Sequence, residues 1–284
     1  MAAPPFPTST FTTLRGLTYS YIHIPPSPPT TTTKSTILIL HGFPSLPTDF
    51  ISQITHLTRL NHGILAPTLL GYHPTSTPRP THLYTLRSQC EDLIALLSHL
   101  HITTPIDAIG HDWGATLLSR LSYYPSRLNK LCYLTIAPSP FGQPFDLDSV
   151  NKMTKEHLGY HAFGYLKFFM DDVQYAQELL EANHDRMEML MFAEDSQSLW
   201  RDYFGRIGGL EKWLKGEGET LNNVKMIEGV TKEDLGRRRE VFCRDKDGEV
   251  GKSEFGRGYG GPLMWYVSHN QNLNLEDERR GRVN

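Results

Sequence analysis

Three features that many chains of this size carry are scarce or absent in this sequence. Only three cysteines occur in 284 residues, without a C-x-x-C pair, which argues against a disulfide framework and favours reduced thiols. No run of about 18 apolar residues is present, so no membrane span is expected. A formal net charge of only −3 argues against nucleic-acid binding.

The amino terminus also lacks the apolar segment of a secretory signal, so we expect a cytoplasmic protein. Although the chain has 13 histidines, most of them stand singly, and we expect neither a metal site nor a cofactor. What the sequence does contain is a globular composition, with 39% hydrophobic and 21% charged residues. Its length is sufficient for one large α/β domain or for a core with a smaller inserted domain.

The stretch 106–120 combines a short apolar run, a glycine-flanked turn and a helical pattern. This order is typical of a nucleophile elbow, in which the central residue of G-x-x-x-G lies on a strained turn between a strand and a helix. Gly110 and Gly114 fit this reading because so sharp a turn leaves little room for side chains. The central residue is usually serine, and here it is Asp112. The alternative is that Asp112 only caps the following helix.

Other runs predict a parallel-rich sheet flanked by helices, which is an α/β fold. Strands are expected at residues 18–24, 36–40, 63–66, the elbow strand before Gly110, and 131–136. Helical spacing covers 86–100. The segments HGFP (41–44) and GHDWG (110–114) each follow a strand, so we expect them side by side at the carboxyl end of the sheet.

The composition changes after about residue 140. The first 140 residues carry 8 of the 28 Lys and Arg residues and 5 of the 31 Asp and Glu residues. Aromatic residues at helical spacing follow, with short helices expected at 208–214 and 231–242 and a hinge at 256–261 (GRGYGG). We therefore expect a disordered segment over 1–10, an α/β core over 11–140, a helical domain over 141–270 and a polar tail over 271–284.

Four motifs in this order resemble the soluble epoxide hydrolases of the α/β hydrolase fold: HGFP, GHDWG, Y-x-x-F-F at 165–169 and G-P-L-x-W-Y at 261–266. The resemblance implies an α/β-hydrolase core with an inserted helical cap. It also implies that the substrate is a small apolar epoxide, that water is the second reactant, and that the product is a vicinal diol.

The same resemblance assigns roles to individual residues. Asp112 would be the nucleophile, and the backbone N–H groups of Phe43 and Trp113 would form an oxyanion hole. Tyr165 and Tyr266, from the cap, would hydrogen-bond the epoxide oxygen and act as the acid, although packing between cap and core is the other reading of each tyrosine. The remaining motif residues would shape the two turns: His41, Gly42, Pro44, Gly110, His111 and Gly114.

The sequence departs from the family pattern in two places. Thr68 follows Pro67 where the family has aspartate. The family also continues past its second tyrosine with two strands, a catalytic acid and a histidine that activates water. After Tyr266 no apolar strand run follows, and His269 lies too close to the cap motif to be this base. The acids Glu276, Asp277 and Glu278 are expected to form a solvated helix end.

We therefore expect the two strands to be missing and hydrolysis of the ester to be impaired. The strand at 131–136 would then be an exposed edge that favours self-association. Two alternatives remain open. A haloalkane dehalogenase also uses an elbow aspartate, but Pro44 and the two tyrosines favour the epoxide hydrolase. A catalytically dead binding protein, or a truncated fragment, would explain the missing base. Serine esterase chemistry is not expected, because Asp112 occupies the elbow.

Overall fold

The computed structural model describes residues 6–27, 34–217, 224–244 and 254–279. Contacts divide the chain into two compact units. The first, here called the core unit, comprises Met1–Gln143 and Leu273–Asn284. The second, here called the helical unit, comprises Pro144–Asn272. The division after Gln143 lies three residues beyond the boundary expected from the change in composition.

The core unit contains a sheet of six strands within the described residues. The strands are β1 Thr8–Thr12, β2 Thr18–Ile24, β3 Thr36–Leu40, β4 Gly63–Pro67, β5 Ile106–His111 and β6 Leu128–Leu134. Their order is β1-β2-β4-β3-β5-β6. The pairs β1–β2 and β2–β4 are antiparallel, and the pairs from β4 to β6 are parallel. The expected parallel-rich sheet is therefore confirmed.

The centre of the sheet is apolar on both faces. Every residue of β3 and β4 is buried, which explains their continuous apolar runs, since helices cover both sides of a parallel sheet. In the β3–β5 register Leu40 lies opposite Gly110. The HGFP and GHDWG turns therefore start from the same edge of the sheet, as the sequence predicted.

Three helices connect these strands: α1 Ile51–Arg59, α2 Leu86–His99 and α3 Trp113–Leu121. The sequence analysis predicted α2 and α3 but not α1, whose single fully buried residue is Ile54. Within the helical unit the helices are α4 Leu147–Leu158, α5 Gly164–Asp171, α6 Val173–Ala182, α7 His184–Met191, α8 Ser196–Leu199, α9 Gly209–Lys215, α10 Lys232–Phe242 and α11 Gly260–Asn270. A π-helical turn, Trp200–Gly205, follows α8 directly.

The two ends of the chain differ from the sequence prediction. Thr8–Thr12 pairs with β2 instead of being disordered, while residues 1–5 lie outside the described residues. Part of the predicted polar tail forms α12, Leu273–Arg279, which packs against α2. The Asn274 side-chain oxygen accepts a hydrogen bond from the backbone N–H of Leu86 at 2.8 Å. This bond satisfies a donor that the start of α2 would otherwise leave open.

The prediction of a solvated acidic helix end is wrong for Glu278. Its side chain is 3% exposed, and one carboxylate oxygen lies 2.7 Å from Nε of Arg120 on α3. The other carboxylate oxygen accepts a hydrogen bond from the backbone N–H of Gly142. The side chains of Glu276 and Asp277, and residues 280–284, lie outside the described residues.

Strand β6 lies at one edge of the sheet, with β5 as its neighbour. It begins three residues before the predicted strand and ends two residues earlier. Most of its residues are exposed, including Leu131 and Leu134, at 36% and 40%. Among the described residues, no helix is long and apolar enough to cross a bilayer.

Candidate active site

Asp112 occupies the turn between β5 and α3 with φ of 53° and ψ of −120°. Residues other than glycine rarely adopt a positive φ, and such strained conformations concentrate at functional sites. The Asp112 carbonyl accepts hydrogen bonds from the N–H groups of Ala115 and Thr116, at 2.9 and 3.0 Å, which start α3. The strand, strained turn and helix of the predicted elbow are therefore present.

Close backbone packing explains the glycines on each side of Asp112. A Cβ at Gly110 would lie 2.5 Å from the Gly114 carbonyl oxygen. A Cβ at Gly114 would lie 2.5 Å from the His41 carbonyl oxygen and would overlap the Leu40 carbonyl. Both distances are shorter than real Cβ atoms allow. A side chain at Gly110 would displace the start of α3, and one at Gly114 would push this helix away from the end of β3.

Gly42 provides similar space on the facing turn. A Cβ at Gly42 would lie 2.5 Å from Oδ1 of Asp112. Its absence lets the HGFP turn approach the carboxylate closely enough for main-chain contact. The next residue, Phe43, is joined to Pro44 by a cis peptide bond.

Two backbone donors converge on the Asp112 carboxylate. The Phe43 N–H donates to Oδ1 at 2.8 Å, and the Trp113 N–H also donates to the carboxylate. A helix-capping side chain accepts from the N–H of the second or third helical residue. Asp112 makes no such capping bond, so the alternative reading as a helix cap is not supported. Asp112 thus lies in a cradle of two N–H groups, which are the same two groups that the family resemblance assigned to an oxyanion hole.

Burial raises the pKa of the Asp112 carboxyl above its ordinary value. The hydrogen bonds from the Phe43 and Trp113 N–H groups oppose that shift, because they stabilise the ionised form. The neighbouring His111 contributes in the same direction. Burial and these stabilising contacts therefore act on the Asp112 pKa in opposite directions. A partly desolvated carboxylate that hydrogen bonds hold in place is suited to act as a nucleophile.

His41 holds the HGFP turn. The backbone N–H of Leu69 donates to its Nε2 at 3.0 Å, so this nitrogen is the acceptor. Nδ1 therefore carries the hydrogen and donates to the Gly42 carbonyl at 3.0 Å. The ring is fully buried, edge-on to Tyr72. Because both nitrogens are engaged, His41 serves the structure of the turn and is not placed to act as a base.

The departure from the family pattern at Thr68 leaves an ordered loop. Its N–H donates to the Ser20 carbonyl at 2.8 Å, and its carbonyl accepts from the Thr75 hydroxyl at 2.8 Å. The loop after β4 is thus attached to β2 without the aspartate.

The two predicted tyrosines come together within the helical unit. Tyr165 lies on α5 and Tyr266 on α11, with ring centroids 6.3 Å apart and nearly perpendicular planes. Phe169 lies 5.4 Å from the first ring and 5.1 Å from the second. Tyr266 is buried, and Tyr165 is half-buried. The sequence motifs Y-x-x-F-F and G-P-L-x-W-Y therefore meet through their aromatic rings.

The segment before α11, predicted as a hinge, is anchored by side chains of α6 and α7. The Tyr259 hydroxyl lies 2.9 Å from Nδ1 of His184. The backbone N–H of Tyr259 donates to the Glu181 carboxylate at 3.3 Å. A Cβ at Gly260 would overlap the Gln177 side chain. The glycine there permits close packing, which fixes the start of the helix that carries Tyr266.

His269 lies on α11 in the helical unit, where its ring packs 4.5 Å from that of Phe145. The elbow group and the tyrosine pair thus belong to different units of the chain. Among the described residues, no group of three His, Cys, Asp or Glu side chains is arranged to hold a metal ion.

Comparisons with known proteins agree with this architecture. Residues 35–232 match the model of the alpha/beta hydrolase fold family. Bifunctional epoxide hydrolase 2 of Sus scrofa is 26% identical over 87% of this chain, which spans only 40% of that protein. Epoxide hydrolase srdG of Neurospora crassa is 27% identical over 92% of this chain and 71% of its own length.

Among solved structures, epoxide hydrolase A from Mycobacterium thermoresistibile superposes with a TM-score of 0.66 at 21% identity. That match covers 95% of this chain and 77% of the other. At this level of identity the likeness concerns the fold. Together with the elbow and the sheet order, the family match over most of the chain shows that the protein belongs to the α/β hydrolase fold family.

Proposed function

We propose that this protein reacts with epoxides through an ester on Asp112, as an epoxide hydrolase does. The observation that carries the proposal is the elbow aspartate with two backbone N–H groups on its carboxylate. The similarity to relatives named epoxide hydrolases supports the same reaction class. A serine or cysteine hydrolase would need a different side chain at this position.

In the first half-reaction a carboxylate oxygen of Asp112 attacks one epoxide carbon. The new C–O bond forms as the strained ring C–O bond breaks, and the electron pair moves to the epoxide oxygen. The N–H groups of Phe43 and Trp113 hold the carboxylate in one orientation, which reduces the entropic cost of attack. The product of this step is a hydroxyalkyl ester.

Tyr165 and Tyr266 are proposed to stabilise the developing alkoxide. A phenol has a pKa near 10, so it is a hydrogen-bond donor at neutral pH and can transfer its proton as negative charge develops. The 6.3 Å separation of the two ring centroids supports their acting on a single oxygen atom.

In the second half-reaction, water attacks the ester carbonyl and releases a vicinal diol. The same two N–H groups would then stabilise the tetrahedral oxyanion. This step ordinarily needs a base to activate the water. His41 has both ring nitrogens engaged, and His269 belongs to the helical unit. Neither of these two histidines is assigned as that base, and on this ground we propose that ester formation outpaces ester hydrolysis in this chain.

The test combines intact mass and product analysis. Purified protein is incubated with styrene oxide, and covalent addition and diol are measured in the same sample. We expect one added epoxide per chain, lost in Asp112→Asn and retained in Asp107→Asn, which changes an aspartate on the preceding strand β5. An adduct that persists in Asp112→Asn would refute the nucleophile. Rapid diol formation without an adduct would refute the slow second step.

We also propose that β6 mediates self-association. An exposed apolar edge strand presents free backbone groups to another chain. We expect Leu131→Lys to reduce any dimer seen by light scattering, and Leu60→Lys, at another exposed leucine of the core unit, to leave it unchanged. A monomeric wild-type protein at high concentration would refute this proposal.

A further inference from the structure

Trp200 differs from the other tryptophans of the helical unit. Trp213 and Trp265 are fully buried, whereas Trp200 is 39% exposed. It begins the π-helical turn that follows α8. π-Helical segments are rare and occur frequently at functional sites. A large exposed indole is costly in water, and this one lies beside Tyr165, the proposed acid.

One face of the Trp200 indole is covered. The ring stacks on Phe204, four residues later, with centroids 4.3 Å apart and an interplanar angle of 26°. Phe204 itself is buried and lies 4.5 Å from the ring of Tyr165. Because Phe204 occupies one face, the exposed area of the indole belongs to the opposite face and the edges.

The indole also borders the proposed acid directly. The ring centroids of Trp200 and Tyr165 are 5.8 Å apart, with planes at 70°. The indole is thus an exposed aromatic surface beside the Tyr165 ring, and we place the substituent of a molecule bound at the Tyr165 hydroxyl against it. Aromatic rings pair favourably with tryptophan through offset or edge-to-face contacts, by more than the buried area alone provides.

We propose that Trp200 is a specificity-determining residue that selects epoxides carrying an aromatic substituent. This inference rests on the proposed function, because it uses Tyr165 as the group that binds the epoxide oxygen. Trp200 takes no part in bond making. Its contribution is the interaction of the exposed indole with an aryl ring beside the reacting oxygen.

The test compares two epoxides of similar size, styrene oxide and its saturated analogue cyclohexyloxirane. The measured quantity is the ratio of their rates of adduct formation, which does not require ester hydrolysis. We expect Trp200→Leu to lower the aryl-to-cyclohexyl ratio about 2- to 12-fold, the range that corresponds to an aromatic pair. Trp200→Phe should retain most of the ratio, because an aromatic face remains.

Tyr175→Leu is the matched control, since Tyr175 is another exposed aromatic residue of the helical unit and contacts Phe168 and Glu211 instead of Tyr165. An unchanged ratio in a folded Trp200→Leu, or an equal fall in Tyr175→Leu, would overturn the inference and leave the proposed function intact. If the wild type gave neither adduct nor diol with either epoxide, the proposed function would fail and this inference with it.

Discussion

The ion pair between Arg120 and Glu278 ties the carboxyl-terminal helix α12 to the elbow helix α3, and its removal is expected to destabilise the core unit. The two side chains are 6% and 3% exposed. Arg120 also donates to the hydroxyl and carbonyl of Ser139, at 2.6 and 3.1 Å. Glu278→Gln keeps the shape of the side chain but leaves the guanidinium without its counter-charge.

The magnitude follows from that burial. Removing one partner of a buried ion pair costs about 3–5 kcal/mol, because the remaining charge is desolvated without compensation. The bonds to Ser139 persist and glutamine still accepts a hydrogen bond, so we expect the lower end, about 3 kcal/mol. For a unit of this size, that loss corresponds to about 6–12 °C in Tm.

Urea unfolding followed by circular dichroism would measure the effect. The matched control is Glu91→Gln, which removes a glutamate that is 51% exposed and pairs with Arg87 one helical turn earlier. Exposed pairs of this kind contribute less than about 0.5 kcal/mol. If Glu278→Gln costs no more than Glu91→Gln, then α12 is not held to the core by this pair.

Three further predictions concern the elbow. Gly114→Ala should destabilise the protein by about 1–3 kcal/mol or more, because its Cβ would overlap the β3 backbone. Gly236→Ala on α10, with open space around it, should stabilise the protein by about 0.5–1 kcal/mol, and equal urea midpoints of the two variants would contradict the packing argument. His41→Phe removes the bonds to Gly42 and Leu69 and should cost about 1–3 kcal/mol by the same measurement, and no loss would contradict the role given to the ring. Burial raises the folded-state pKa of Asp112, so the contribution of this carboxyl to stability is present below its unfolded-state pKa and is lost as the pH rises through its folded-state pKa. Asp112→Asn should therefore raise the free energy of unfolding at pH 7, and this gain should disappear below about pH 4. A difference between variant and wild type that does not depend on pH would contradict this prediction.

Much of the fold was predictable because local patterns determine it. The apolar run at Thr36–Leu40 reflects a strand that is buried on both faces of the sheet. The helical spacing of apolar residues in Leu86–His99 reflects a helix that is buried on one face. Helix α1 was missed because β-branched residues weaken its local propensity, so tertiary packing decides its structure. Strand β1 was missed for a similar reason, since an exposed strand is defined by pairing with β2 and has little apolar signal.

The candidate site, like the fold, was predictable where local sequence patterns determine it and unpredictable where partners distant in the sequence do. The elbow was predictable because a strained turn requires glycine at fixed positions around Asp112. The bond between Leu69 and His41 and the pair between Arg120 and Glu278 were not predictable, since they join residues 28 and 158 positions apart. No local pattern specifies such partners. The prediction of a solvated helix end failed at Glu278 because its partners, Arg120 and Gly142, are distant in the sequence.

The central claim is that the Asp112 carboxylate forms the ester. The most direct test is tandem mass spectrometry of the tryptic peptide covering residues 88–120, after incubation with styrene oxide. That peptide also contains Asp107 and the buried Cys90, whose thiol pKa is raised by burial, so the site of addition can be distinguished within one fragment. The account predicts the added mass on Asp112 and its loss in Asp112→Asn. Addition at Asp107 or Cys90, or diol formation that continues in Asp112→Asn, would contradict it.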